Sequence, residues 1–323
     1  MTASATRPTR GCRVGQKIQL RWQKALAAAG LALAFLVVSS MAWGQGIEVG
    51  PVNGSLVLIG GGQPLDDILI KRVIELAGGP EELIVIIPTA GGAATYDDSF
   101  RGVVQFRQAG ARNLRLLHTR DRSVADSESF VEPLRRARGV FIFGGTNAIL
   151  ADAYLGTRTQ REITDILNRG GVVAGTSAGA EIQGSFMPRG NTNDPNGDVL
   201  IGDHQVGLNV LHRVAVDAHV LVRNRQFDML QITNLHPELL GIAIDEQTAI
   251  VVQQDQFEVV GRSYVLIYDN QRSIPPSGGF YFLKSGDRYN LRTREATGPV
   301  LVQQPIGPGP AGRSGTVGWS VIS

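Results

Sequence analysis

Gly175-Thr176-Ser177-Ala178-Gly179 is the segment of this 323-residue chain whose residue types point most directly to chemistry. A Gly-x-Ser-x-Gly run turns a strand sharply into a helix, and only small neighbours fit so tight a turn. The serine hydroxyl then stands at a helix start, where unbonded backbone N–H groups favour developing negative charge. The apolar run Val172-Val173-Ala174 precedes the motif, and a helix-compatible stretch, residues 180–184, follows it. The same residues would also suit a glycine-rich packing turn without chemistry. A nucleophilic serine needs a base and a group that orients the base. Of the five histidines, His118, His204, His212, His219 and His236, His219 is singled out by following a strand-like run, Arg213 to Asp217. Asp217, Asp245 and Glu246 are the acids available to orient it, and each could equally be a solvated charge at a strand end. An α/β-hydrolase would place its histidine last, yet the final histidine, His236, leaves 87 residues beyond it. The order Ser177, His219, Glu246 suits a different architecture. The histidines form no H-x-x-x-H pair, so no metal and no cofactor is expected.

These residues have to be held by strands, and apolar runs bounded by glycine supply them. Residues 56–59 end in Gly60-Gly61-Gly62, residues 83–87 in Pro88-Thr89-Ala90-Gly91-Gly92, and residues 140–143 in Gly144-Gly145. A weaker run covers 114–117, and 172–174 leads into the serine motif. Runs apolar on both faces read as buried parallel strands. Helical patterns near 66–77, 98–109, 125–137 and 158–169 alternate with them, which predicts a doubly wound α/β sheet with the glycine-rich strand ends along its ligand-binding edge. Further strands are expected at 214–216 and 242–244 around a helix near 222–233, followed by a β meander at 249–252, 257–260, 265–268 and 280–283. The Gly60-Gly61-Gly62 turn lacks the spaced third glycine of a dinucleotide fingerprint, because Gln63-Pro64 follows it.

With 43% hydrophobic and 19% charged residues, the chain has the material for a core, which excludes a disordered polar chain. The formal charge of +2 is unevenly placed. Residues 1–44 hold Arg7, Arg10, Arg13, Lys17, Arg21 and Lys24 and no acid. A 14-residue apolar run, Ala25 to Val38, and the small-residue triplet Ala42-Trp43-Gly44 follow, in the order of a secretory signal peptide. Cleavage after Gly44 is expected, with an uncleaved anchor as the alternative. Without the six cations the charge becomes −4, so no basic field remains for nucleic acid. Cys12, the single cysteine, would leave with the leader. The expected organisation is a signal peptide over 1–44, one α/β domain over 45–303 and a Gly/Pro-rich tail over 304–323, in a secreted or periplasmic protein without stable membrane association after cleavage.

Taken jointly, three blocks resemble the cyanophycinases and their dipeptidase E-like serine peptidase relatives. They are Gly170 to Ala180 around Ser177, Val216-Asp217-Ala218-His219 with Arg223 and Arg225, and Gly241-Ile242-Ala243-Ile244-Asp245-Glu246-Gln247-Thr248-Ala249. The resemblance runs from about Gly54 to about Leu291. It implies a three-layer α/β/α sandwich with a mostly parallel, amidotransferase-like (flavodoxin-like) sheet and a C-terminal β extension. It also implies Ser177 as nucleophile, His219 as general base, Glu246 as its orienting acid, and the N–H groups of Gly145 and Ala178 as the oxyanion hole. Arg223 and Arg225 match arginines of the family's substrate cleft, and Asn147 and Asp217 fall at further pocket positions. Thr146 and Asn147 stand where the family usually has an acid or Asn and then Gln, Ala218 stands for a Gln, and Asp228 stands for a further arginine. Triad positions are intact and pocket positions altered, which separates the expectation of serine hydrolysis from the choice of substrate.

The expected reaction is hydrolysis of an amide in an aspartate-containing, β-linked or cyanophycin-like substrate. His219 takes the proton of Ser177 as its oxygen attacks, then returns it to the leaving amine. A peptide is the expected partner, and a homodimer the expected assembly. An exported esterase of the other triad order, in which His236 would serve, and a non-catalytic binding protein on the same fold are the competing expectations.

Overall fold

The computed structural model describes residues 49–297 except 195 and 273–278. The expected signal peptide, the domain ends near 45 and 303 and the tail over 304–323 lie outside the described residues.

Five parallel strands form the centre of a nine-stranded sheet. They are β1 (Ser55–Ile59), β2 (Ile84–Ile87), β3 (Leu114–Leu116), β4 (Gly139–Ile142) and β5 (Val172–Thr176), in the order β1-β5-β4-β2-β3. All but β3 are buried along their whole length, which explains their unbroken apolar runs. Their side chains alternate between two faces. Val57, Ile59, Ile84 and Ile86 face Leu69, Ile70 and Val73 of α1 (Asp67–Leu76) and Val103 and Phe106 of α2 (Arg101–Gln108). Leu56, Leu58, Val85 and Ile87 face the other way. There they meet α4 (Glu128–Arg136), α5 (Asn147–Tyr154) and α6 (Arg158–Asn168). The start of α1 is set by Asp66, whose carboxylate accepts from Ile68 N at 3.2 Å. Ser127 caps α4 in the same way through Phe130 N. The helix expected near 125–137 is α4, and a separate one-turn helix, α3 (Arg122–Ala125), capped by Asp121, precedes it. α5 was not anticipated: six of its eight residues are buried, so no amphipathic stripe marks it.

The later strands depart from a simple meander. β6 (Gly184–Phe186), β7 (Leu211–Ala218), β8 (Leu240–Ile244), β11 (Tyr264–Tyr268) and β12 (Tyr281–Lys284) form a second sheet in the order β12-β11-β8-β7-β6. β9 (Thr248–Gln253), β10 (Gln256–Gly261), β13 (Arg288–Asn290) and β14 (Glu295–Ala296) extend the first sheet beyond β1, each strand antiparallel to the one before it. Val214, Val216, Ile242 and Ile244 on one face of the second sheet join the core shared with Leu56 and Leu58. Ala215, Ala243 and Leu266 on its other face meet Met229 and Ile232 of α8 (Asp228–Leu235). The expected meander is thus shared between two sheets. The chain changes sheet at Asp245-Glu246-Gln247, between β8 and β9, and again between β10 and β11. The helix expected near 222–233 begins six residues later, because Val220 to Arg225 is a turn closed by Arg225 N to Val220 O at 2.7 Å.

Candidate active site

Ser177 sits between the end of β5 and the four-residue helix α7 (Ala178–Glu181). Its φ of 53° is in the left-handed region, strained for a residue with a side chain. Small neighbours allow the turn. A Cβ on Gly175 would meet Gly179 O at 2.0 Å, and one on Gly179 would meet Ile142 O at 2.0 Å. Ile59 at the end of β1 holds the turn by accepting from Ser177 N at 2.9 Å. Gly144, after β4, comes so close that a Cβ there would stand 2.7 Å from Ser177 Cβ.

His219 follows β7, also at positive φ (57°), and its N–H donates to Gly60 O at 2.8 Å. Its ring bridges Ser177 and an acid. Nε2 lies 2.8 Å from Ser177 Oγ and Nδ1 lies 2.6 Å from Glu246 Oε1. The carboxylate fixes the Nδ1–H tautomer and leaves Nε2 as the acceptor facing the hydroxyl. Burial lowers the pKa of His219, the Glu246 hydrogen bond works against that, and Arg223 lowers it again. The imidazole is therefore neutral at pH 7, the form a general base requires.

Glu246 is placed by the change of sheet between β8 and β9. Gln247 straps the crossover to the glycine turn after β1, its N–H donating to Gly61 O at 3.0 Å and its Nε2 to Pro64 O at 2.7 Å. The other two candidate acids are engaged elsewhere. Asp245 accepts from Leu221 N, Val222 N and Ser263 Oγ, so it holds the turn after His219. Asp217 is completely buried and accepts two bonds from Arg189, 2.8 and 2.9 Å long. Expected to bind substrate, Asp217 instead meets the cleft only through that arginine.

Ser177 and His219 open onto a cleft lined also by Gly145, Asn147, Arg223 and Arg225. Among the described residues, neither Gly145 N nor Ala178 N donates to a protein acceptor, so both remain available to a developing oxyanion. Among the described residues, Arg223 and Arg225 donate only to backbone carbonyls, Asn196 O at 3.4 Å and Gly197 O at 2.9 Å. Arg225 is 8% exposed; burial and the nearby Arg189 charge lower its pKa. Asn147, expected in the pocket, does line it, with its amide committed to Glu181 Oε2 at 2.6 Å and Pro188 O at 2.7 Å. Burial and the adjacent Asp217 charge push Glu181 up to about 7. His236, the histidine of the alternative triad order, packs against Phe186 with the rings tilted at 46° and caps α8, outside the cleft. Among the described residues no group of three or more His, Cys, Asp or Glu side chains is placed to hold a metal ion.

The chain as a whole is similar to known proteins. Residues 56–260 fit the description of peptidase family S51. The chain belongs to peptidase family S51. Its S51 relatives include the cyanophycinase of Geminocystis herdmanii, 31% identical over 270 residues, covering 77% of this chain and 98% of that protein. The cyanophycinase of Synechococcus elongatus is 29% identical over 272 residues, 75% of this chain and 81% of the relative. The crystal structure of a peptidase from an acI-B1 Actinobacterium superposes with a TM-score of 0.57 at 26% identity, covering 75% of this chain and 98% of that one. The resemblance to cyanophycinases and dipeptidase E-like serine peptidases, and the mostly parallel sheet with a C-terminal β extension that it implied, agree with this family and with the mainly parallel central sheet and antiparallel C-terminal strands observed.

Two features of this S51 site were not read from the sequence. The Gly60-Gly61-Gly62 turn, set aside as an incomplete nucleotide motif, is the seat of the imidazole and of the Gln247 strap. Its signal was three glycines at the end of the first strand. Glu181 and Arg189 were missed as well. Glu181 follows the serine by four residues, one helical turn, which could have marked it as facing the same cleft.

Proposed function

We propose that this chain is an exported serine peptidase that hydrolyses aspartate-containing amide bonds, β-aspartyl peptides or a cyanophycin-like polymer, through Ser177, His219 and Glu246. The observation that carries the reading is the continuous hydrogen-bonded relay from Ser177 Oγ through His219 to Glu246. His219 Nε2 takes the hydroxyl proton while Oγ bonds to the scissile carbonyl carbon. The N–H groups of Gly145 and Ala178 receive the oxyanion, each such donor contributing about 3–4 kcal/mol in comparable sites. His219 then protonates the leaving nitrogen, the C–N bond breaks, and water attacks the acyl-serine with His219 again as base. Arg223 and Arg225 suit a substrate with free carboxylates, which planar guanidinium forks bind in two-point fashion. Export rests on the basic, apolar and small-residue order of residues 1–44.

The test is covalent trapping during turnover of β-aspartyl dipeptides. A mass increase equal to the acyl group on a peptide containing Ser177, absent from Ser177→Ala, supports the reading. Turnover undiminished in Ser177→Ala removes it.

A further inference from the structure

The floor of the cleft holds a guanidinium already. Arg189 is 4% exposed and uses both edges of its fork on acids. Nε and Nη2 donate to Asp217, Nη2 also donates to Asp228 Oδ2 at 2.7 Å, and Nη1 donates to Gly197 O at 2.9 Å. Four of the five N–H groups of a guanidinium are thereby paired. The acids come from the framework that carries the reacting groups. Asp217 stands two residues before His219 on β7, and Asp228 opens α8. Glu181, one helical turn after Ser177, adds a third carboxyl group to the same cluster. The arginine itself comes from outside that framework, from the segment after β6, at a φ of 59° that suits glycine better than arginine. Arg189 and Glu181 both line the cleft that exposes Ser177 and His219.

We propose that Arg189 is a resident plug: it fills a carboxylate-lined pocket that would otherwise receive a basic side chain of the substrate, and so makes the cleft select against arginine and lysine there. With Asp217 and Asp228 satisfied internally, the cleft-lining charges that bond only backbone atoms among the described residues are Arg223, Arg225 and Asp194, a set whose net positive charge disfavours a basic group. The inference rests on the peptidase reading only in taking this cleft as the substrate site, and within that reading it favours β-aspartyl peptides over a cyanophycin-like polymer, which carries arginine.

Ethylguanidinium binding to Arg189→Gly tests it without requiring turnover. Glycine keeps the φ of 59° without strain, and the small cation can enter where the side chain was. The proposal requires saturable one-to-one binding by calorimetry, with a rise in melting temperature. Binding to the unaltered chain should be at least tenfold weaker, and adding Asp217→Asn should abolish it. A natively folded Arg189→Gly that binds no ethylguanidinium overturns the proposal, as does equal binding by the unaltered chain. Should Arg189→Gly not fold, Ser177→Ala titrated with dipeptides differing only in arginine against citrulline decides the matter. At least tenfold weaker binding of the arginine peptide supports the plug; equal or tighter binding overturns it. Guanidinium capture by a chain that hydrolyses nothing would leave the plug standing and remove the peptidase reading, so the two fail separately.

Discussion

Gly61 lies against the imidazole of His219: a Cβ on Gly61 would stand 2.2 Å from Cε1 and 2.6 Å from Nδ1 of the ring. The backbone there has φ +118°, which an L side chain rarely adopts. The missing side chain is what lets the ring lie between Ser177 and Glu246. Gly61→Ala should therefore push the imidazole out of reach of Ser177 Oγ. A displacement near 1 Å costs about 10²-fold in rate. The expected outcome is a folded protein whose kcat is reduced at least that much, measured beside its circular dichroism spectrum.

The pH profile follows from the surroundings of His219. Burial, the largest influence, lowers its pKa from the ordinary ~6.5, and the Glu246 bond only partly restores it. The neutral ring is the working base, so kcat/KM should be full at pH 7 and fall on acidification, with its midpoint below ~6.5. Glu246→Gln removes the raising influence and should move that limb further down. Stability has the same sign. Unfolded histidine takes up its proton at a higher pH than the folded ring, so this group's contribution is present above ~6.5 and is lost as pH falls through the window below it. An acid limb centred above 6.5 would contradict this assignment.

Asp245 and Glu246 are neighbours with separable duties. Asp245 satisfies two backbone N–H groups and the Ser263 hydroxyl, so Asp245→Ala should cost about 1–3 kcal/mol in urea unfolding. Glu246→Gln should leave the melting temperature within a few degrees while lowering kcat about 10²–10⁴-fold, as expected when the orienting acid of a triad is neutralised. Equal kinetic loss in a stable Asp245→Asn would reassign the acid.

Arg225 offers a buried cation whose one side-chain hydrogen bond among the described residues is to a carbonyl. Arg225→Ala should raise KM for a carboxylate-bearing peptide about 10–100-fold, with a smaller change in kcat. Arg225→Lys should recover only part of it, since an ammonium cannot form the planar two-point contact.

Much of this was legible because the requirements are local. Val172-Val173-Ala174 followed by Gly-x-Ser-x-Gly can hardly be anything but a buried strand and a tight turn, and the structure has β5 and α7 there. The chain order weighed against a terminal histidine without removing it, and His236 lies outside the cleft. What stayed hidden is long-range. Nothing around residues 245–247 signals a change of sheet, because β8 and β9 are both buried apolar runs. Asp217, Asp245 and Glu246 all read as strand-end acids. Only the partners that folding brings, Arg189, the 221–222 backbone and His219, separate them. The role of Gly60-Gly61-Gly62 was hidden for the same reason, since the ring it accommodates is 158 residues further along the chain.

The central claim is that Ser177 attacks an amide with His219 as its base. Initial hydrolysis rates for cyanophycin, β-aspartyl dipeptides and α-aspartyl dipeptides, measured with the unaltered chain and with Ser177→Ala, test it most directly. The account predicts cleavage of at least one of these by the unaltered chain and a rate at least 10³-fold lower for Ser177→Ala. Cleavage of none of them, or equal rates for the two proteins, would contradict it.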